Sequence, residues 1–438
     1  MTQAAGSYPS TGFGDLLRLA GGCGAALVRA PGSFDLNLAL QDWIEGLVRR
    51  SGSKTVVLDL YRTKLLIVTG GELSEHILAQ PPDVRSYVEG PTKARAMSFL
   101  APNALTITHG EQWRRLRRFN EETLSAGDAE ERLQFILDGV RRAFAGPVSD
   151  IDDVRSCMAE VMRTVVFGSD RAPAHLADDV QTLIQHVQNP GRRMLFGWRE
   201  RGRRKRFYDT LRRLWGESPV SGSHSLMATA RRMVRDGGHP EEEILQQIPH
   251  WMFTFTGSGT DLLARTLGIV ASRSDVYGRV QAEAAGRNTE HLASAVNNME
   301  YLESCLLEAC RLFPPVKRTF HVAPQGDSFD GFHIPAGMEI LHCFTAGQRD
   351  LSVDPTADDF RPERWMEPGS VAAAVYPGLF LGGARECPGK NLILFVCKAA
   401  IATLMNVGRM RSVCPALSED PMPPSFPAGG LRYGMDTG

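Results

Sequence analysis

Neither sign of charge dominates this chain: 49 Lys and Arg stand against 50 Asp and Glu, a formal net charge of −1. No global field therefore points to nucleic acid or to membrane insertion. The eight cysteines include no Cys-x-x-Cys pair and no His/Cys cluster at ligand spacing. That argues against a disulfide framework and against zinc, and makes a reducing cytoplasm the expected compartment. No apolar run reaches the ~20 residues that span a bilayer. The longest, Leu392–Met405, contains Lys398 and reads as a buried core helix. "LLRLAGGCGAALV" (Leu16–Val28) has the look of a secretory apolar segment, but Arg18 interrupts it and no basic stretch precedes it. Internal repeats, low-complexity tracts and linkers are lacking too. Lysine is scarce, 7 against 42 arginines, the usage of a GC-rich, bacterial genome.

What the chain has is length and apolar content: 438 residues, 43% hydrophobic, enough for a core larger than that of an average domain. Residues 1–50 are Gly/Ala-rich and read as a lead-in with short helical pieces. "TVVLDLYRTKLLIVTG" (Thr55–Gly70) predicts a β-hairpin, and "ELSEHIL" after it a short helix. From Glu111 to Trp215 the apolar period is helical, broken at "NPG" (Asn189–Gly191). Glu241–Ser272 predicts a long apolar helical stretch jointed at Pro249. Asn297–Phe313 predicts a helix stopped by Pro314 and Pro315. Short strands follow around Phe332–Phe344, then a long coil, then a last core helix. The expected class is mainly α with a small β portion, in a single domain over 1–438.

One stretch of that coil, "FLGGARECPGK" (Phe380–Lys390), frames a single thiol with glycines, an arginine and a proline. A cysteine that ligates iron must be a thiolate. Backbone N–H groups aimed at sulfur stabilise it, and the tight turns this needs are allowed by Gly382, Gly383 and Gly389. Pro388 suits the first turn of a following helix, which would set the thiolate near a positive helix terminus. Phe380 would shield one side of the sulfur, and Arg385 could reach an anionic group beside the metal. Taken as F-x-x-G-x-R-x-C-x-G, residues Phe380, Gly383, Arg385, Cys387 and Gly389 resemble the haem-binding loop of the cytochrome P450 family, here over 376–390.

Three further segments stand in the order that family requires. Glu308 and Arg311 sit one helical turn apart and can share a face. With Arg364 of "FRPERW", the resemblance makes them structural residues that lock the coil. In "HGEQWRRLRRFN", Trp113 and Arg117 are four apart, the spacing the family uses to bond haem propionates, with Arg318 and Arg385 as partners. A guanidinium suits a carboxylate. Arg114, Arg115 and Arg118 read either as a solvated basic face or as a dock for an acidic electron donor. "FTGSGTD" (Phe255–Asp261) matches the central helix above the iron, with Thr260 and its acidic neighbour as proton-delivering catalytic residues. Here Gly259 occupies the place of the acid and Asp261 follows the threonine. Positions 259 and 261 diverge by ~200° on a regular helix, so Asp261 can substitute only where the helix is distorted; the two glycines permit this. Phe253, Thr256 and Val316 are candidate pocket residues, with ordinary core packing the favoured reading for Phe253.

The resemblance implies a cytochrome P450 fold, with haem b (iron protoporphyrin IX) held between the long central helix and the cysteine loop, and Cys387 as the metal ligand. It implies a monooxygenase that uses O2 and two external electrons to oxidise a small, mostly apolar organic molecule, with secondary metabolism in a bacterium as the expected setting. A ferredoxin or flavodoxin with its reductase would be the electron donor, and the protein a cytoplasmic monomer without nucleic-acid or membrane partners. Lys93–Leu105 and Phe196–Trp198 would cap the pocket. "GWRERGRRKRF" (Gly197–Phe207) reads as solvated surface, or as a recruiter of an anionic or carrier-bound substrate. Two other readings stay open: a haem-thiolate enzyme of other chemistry (peroxide-driven oxidation, oxidative coupling, nitration or rearrangement), which Gly259 motivates, and a non-enzymatic haem sensor.

Overall fold

A computed structural model describes residues 8–11, 14, 36–59, 64–125, 130–168, 172–188, 190–219, 222–285, 292–367, 378–412, 415–427 and 431–436. The chain divides into two compact units. The first comprises Met1–Lys93, Arg311–Asp359 and Val371–Cys387, and the second Ala94–Cys310, Phe360–Ser370 and Pro388–Gly438.

The first unit holds a six-stranded sheet in the order β1-β2-β3-β8-β5-β4, formed by Ser10–Thr11, Thr55–Asp59, Lys64–Val68, Glu339–Cys343, Arg318–Val322 and Val88–Glu89. The predicted hairpin is β2 and β3, antiparallel, with Thr55 opposite Val68; its turn, residues 60–63, lies outside the described residues. Strand alternation sorts the side chains onto two faces. Leu66, Val68 and Ile340 pack with Leu73 and Ile77 of the helix Glu72–Ala79. Ile67, Leu341 and Cys343 pack with Ile44 and Leu47 of the helix Leu36–Ser51. That 16-residue helix corrects the expectation of short helical pieces before residue 50. The small antiparallel pair β6 (Asp327–Phe329) and β7 (Phe332–Ile334) completes this unit.

Helices make up most of the second unit. The predicted helical region resolves into Gly110–Leu124, Glu130–Ala143, Ile151–Phe167, His175–Gln188 and Pro190–Glu217. The joint near Pro249 is where expected: Glu241–Leu245 ends, Gln246 and Gln247 turn, and Ile248–Thr254 starts with Pro249 in its first turn. Phe255–Gly259 then forms a π turn that runs into the helix Thr260–Ser272. In that last helix Leu262, Leu263, Ala264, Leu267, Ile269 and Val270 are all buried, so it is apolar nearly all round and occupies the core of its unit. The helix Lys390–Val407 is long and apolar enough to cross a membrane, yet 67% of it is buried in the fold. It is the core helix expected from its sequence, with Lys398 neutralised by Glu303 at 2.6 Å and bonded to the Asn297 carbonyl. The strands Arg409–Ser412 (β9) and Tyr433–Asp436 (β10) pair antiparallel.

Candidate functional site

The cysteine loop belongs to the first unit. Phe380, Leu381, Gly382 and Gly383 all have positive φ, at 51°, 72°, 62° and 54°. Two of the four carry side chains, in a region that costs them energy and that persists only where the surroundings impose it. Those surroundings are identifiable. A Cβ on Gly383 would stand 2.6 Å from the Leu78 carbonyl oxygen, so the loop lies directly on the helix Glu72–Ala79. One on Gly378 would stand 2.4 Å from the Phe344 ring. The backbone N–H of Cys387 then donates to the Phe380 carbonyl at 2.8 Å, closing the loop around its thiol. Cys387 is half-buried and is not in a disulfide. By contrast Cys343 is buried, and desolvation pushes its thiol up to about 12. Cys397 is buried likewise, its thiol pushed up first by desolvation and then by Cys310.

One local expectation needs correction. The helix after the loop starts at Lys390 with Gly389 as its N-cap residue, so Pro388 stands before the helix and not in its first turn. Arg385 is buried, its Nε donating to the Gln80 carbonyl (3.1 Å) and a terminal nitrogen to that of Tyr87 (2.5 Å). Desolvation lowers it to about 10. Arg318 opens β5 opposite Cys343, and Val316, before it, is 47% exposed.

In the second unit, Trp113 and Arg117 share a face of the helix Gly110–Leu124. Trp113 is buried, and Arg117 Nε donates to Glu121 at 2.6 Å. A polar network missed from sequence fixes this helix: Trp251 Nε1 donates to Asn120 (2.7 Å), and Gln247 donates to the Asn103 carbonyl (2.6 Å). Of the three candidate docking arginines, Arg114 pairs with Glu111 and Arg115 with Glu243. Glu308, wholly buried, accepts from Arg364 Nε (2.8 Å), Trp365 Nε1 (2.9 Å) and the Arg361 N–H (3.0 Å). Arg311, of the first unit, donates to the carbonyls of Gln348, Ala357 and Asp359.

The central helix is distorted where its glycines allow. The N–H of Thr260 reaches the carbonyl of Phe255, five residues back. The consequence is visible in the hydroxyls. Thr254, Thr256 and Thr266 each donate to the carbonyl four residues earlier, at 3.0, 3.0 and 2.8 Å. The Thr260 hydroxyl, 1% exposed as a residue, has no hydrogen-bond partner among the described residues. A buried polar atom left this way is the mark of a missing partner such as water or a ligand. Thr256 also accepts from Gln181 (2.8 Å), which turns its hydroxyl toward the helix His175–Gln188; no sequence motif marked Gln181. Phe253 is partly buried, its ring 3.5 Å from where a Cβ on Gly257 would stand.

The distortion lies upstream of Thr260, so Asp261 follows it in regular helical geometry. Its carboxylate, 42% exposed, pairs with Arg265 at 2.5 Å. The expected bend is therefore present but does not carry Asp261 into the place of the missing acid. That place is closed: a Cβ on Gly259 would stand 2.6 Å from Ile393 Cδ1.

Against known proteins, the family model described as Cytochrome P450 matches residues 205–407. Cytochrome P450 monooxygenase 91 of Postia placenta is 28% identical over 193 residues, 38% of this chain and 36% of that protein. Cyclooctat-9-en-7-ol 5-monooxygenase of Streptomyces melanosporofaciens is 26% identical over 386 residues, 78% of this chain and 79% of that protein. A solved structure described as retinoic acid bound cyanobacterial CYP120A1 superposes with a TM-score of 0.70 at 19% identity, covering 90% of this chain and 94% of that one, and speaks for the fold.

Proposed function

The chain belongs to the cytochrome P450 family and is a monooxygenase of that family, and from this we propose that Cys387 is its iron ligand and that its substrate is a small, mostly apolar organic molecule. Members of the family bind haem b through a cysteine thiolate and work with O2, a small-molecule substrate and redox-partner proteins. The observation that carries the assignment of Cys387 is the strained loop: four successive positive φ values and the 2.8 Å Cys387 N–H···O bond to Phe380 hold one half-buried thiol in a fixed place. The residues present suit haem, since the loop offers a cysteine that is not sealed in the core and the central helix offers a buried hydroxyl lacking a partner.

When bound, haem supplies the reductive activation of dioxygen. The chain's own residues do the rest. Cys387 binds; Trp113, Arg117, Arg318 and Arg385 are the proposed propionate contacts, with Phe380 and Gly389 framing the sulfur. The Thr260 hydroxyl, able to donate and to accept, would hold a proton at its oxygen for transfer to dioxygen. Asp261, partly exposed, is the neighbouring group able to exchange protons with solvent. Phe253, Thr256 and Val316 are proposed for the substrate pocket. A ferredoxin or flavodoxin with its reductase is the proposed donor to a cytoplasmic monomer, in secondary metabolism. Cyclooctat-9-en-7-ol, the substrate named for one similar protein, and retinoic acid, the molecule bound in the similar solved structure, accord with a mostly apolar substrate.

The purified protein is expected to give the long-wavelength absorption of a carbon-monoxide-bound ferrous haem-thiolate, and Cys387→Ser to lose it. A serine variant that keeps that absorption would refute the ligand assignment. The crowding of Gly259 favours a second reading, oxidation driven by peroxide. Product formed with hydrogen peroxide alone, and not with NAD(P)H and electron partners, would select it.

A further inference from the structure

The helix Pro190–Glu217 presents an unusual outer face. Between Trp198 and Arg213 it carries eight cations (Arg199, Arg201, Arg203, Arg204, Lys205, Arg206, Arg212, Arg213) against Glu200 and Asp209, in a chain of net charge −1. Its apolar stripe is spent: Phe207, Tyr208, Leu211, Leu214 and Trp215 are buried, and Tyr208 donates its hydroxyl to the Leu100 carbonyl at 2.8 Å. The opposite face holds Trp198, 78% exposed, the most exposed of the large apolar side chains among the described residues. Helical phase sets Gly202, Lys205 and Arg206 beside it, with Arg199 and Arg201 flanking.

Most of a surface helix's charges are matched by neighbours, and some here are: Arg203 bonds Asp179 and Glu200, Lys205 bonds Asp209, Arg212 bonds Glu242, and Arg213 bonds Glu217. Arg204 lies over the Tyr208 ring at 4.8 Å. Arg199, Arg201 and Arg206 have no carboxylate partner among the described residues. Arg199–Arg203 and Arg201–Lys205 are like-charge pairs four residues apart, a spacing that destabilises a helix. An exposed tryptophan ringed by unmatched arginines is the composition of an interface centre, where aromatic and arginine anchors dominate.

We propose that this face docks an acidic protein, with Trp198 as the apolar anchor and Arg199, Arg201 and Arg206 meeting its carboxylates. Charge complementarity names the partner's sign. The burial of the helix's apolar stripe disfavours a membrane, because an interfacial helix binds lipid through that stripe and here only one apolar side chain faces out. The same helix is tied to its neighbour His175–Gln188 by Arg203–Asp179, and Gln181 of that neighbour bonds Thr256 of the π turn. Docking thus acts on a helix whose neighbour bonds the π turn within the same unit, which suits a protein that brings substrate.

The test uses the haem-loaded protein and labelled poly-L-glutamate, with phosphatidylglycerol vesicles and duplex DNA as separate arms. Saturable polyglutamate binding is expected, weakening steeply with salt. It should fall at least tenfold in Arg199→Glu/Arg201→Glu/Arg206→Glu and several-fold in Trp198→Ala, which changes no charge. Arg141→Glu/Arg142→Glu, on another helix, should bind as the parent does. An unchanged carbon-monoxide spectrum certifies the fold of each variant. Equal binding by parent and triple variant, no effect of Trp198→Ala, or Trp198-dependent binding to vesicles or DNA in preference to polyglutamate would overturn the proposal.

Discussion

At Gly259 the π turn lies against the last core helix. A Cβ there meets Ile393 Cδ1 at 2.6 Å and Cγ1 at 3.3 Å, with Met158 Cε at 3.5 Å. Met158 is buried and Ile393 partly buried, and a β-branched side chain retreats through few rotamers. Gly259→Ala should therefore lower stability by about 1–3 kcal/mol, the usual cost of overpacking. Gly259→Asp should cost more, since it also buries a carboxylate with no partner. In an Ile393→Ala background the obstacle is gone, and the penalty of Gly259→Ala should shrink to less than half. Denaturant midpoints of the four proteins form a double-mutant cycle that reads this coupling. The same penalty in both backgrounds would show that Ile393 is not what keeps position 259 small. The physical conclusion is that the acid absent from the motif has no room in this packing, so restoring it is not a route to restoring the usual proton path.

Elements are held to one another here by a few buried polar centres, and Glu308 is the most demanding of them. It joins the helix Glu300–Leu312 to the 3-10 turn Pro362–Trp365 by accepting three hydrogen bonds with no solvent to share the load. Glu308→Ala takes the carboxylate away from the Arg364 guanidinium, itself buried, and should cost about 3–5 kcal/mol, as breaking one side of a buried pair does. Arg364→Met with Glu308→Leu should recover part of the loss, as apolar replacements of a buried pair often do. Thermal midpoints measured on the parent and the two variants decide it: a Glu308→Ala protein as stable as the parent would mean the charge is relieved by water. How much of this was legible beforehand follows from what each element depends on. Helices and the β2–β3 hairpin were legible because apolar period is local, and the cysteine loop because its glycines mark turns that only glycine takes easily. Even the distortion before Thr260 could be anticipated from the two glycines flanking Ser258. The crowding at Gly259, the Gln181–Thr256 bond and the helix Leu36–Ser51 could not be. The first two depend on residues far away in the chain, and the helix is stabilised by packing Ile44 and Leu47 on the sheet more than by its own residues.

At the scale of the whole molecule, charges nearly cancel, so acid stability should be governed by a few buried groups and not by general repulsion. His321 and His342, side by side on one face of the sheet with rings 5.8 Å apart, are 2% and 1% exposed. Desolvation, followed by the charge of Arg385, holds both neutral: His342 is lowered to about 3 and His321 well below its ordinary value. His342 shares a hydrogen bond with Ser74 at 2.6 Å, whereas neither ring nitrogen of His321 has a partner among the described residues. The sign follows from linkage. In the unfolded chain both rings take up protons near pH ~6.5, but in the fold they refuse them far below that. Their full contribution is present above that pH and is lost as the pH falls toward the folded values, at about 1.4 kcal/mol per pH unit for each ring. His321→Leu removes one such group and gives up no hydrogen bond, so at pH 7.5 it should be neutral or stabilising. Between pH 6 and 5, in the range flagged by these shifts, it should flatten the decline of stability by roughly 1.4 kcal/mol per unit. Denaturation of parent and variant at matched ionic strength across that window provides the measurement. Parallel slopes would show that His321 already binds its proton in the folded state, and that the sheet face around Arg385 is wetter than its packing implies.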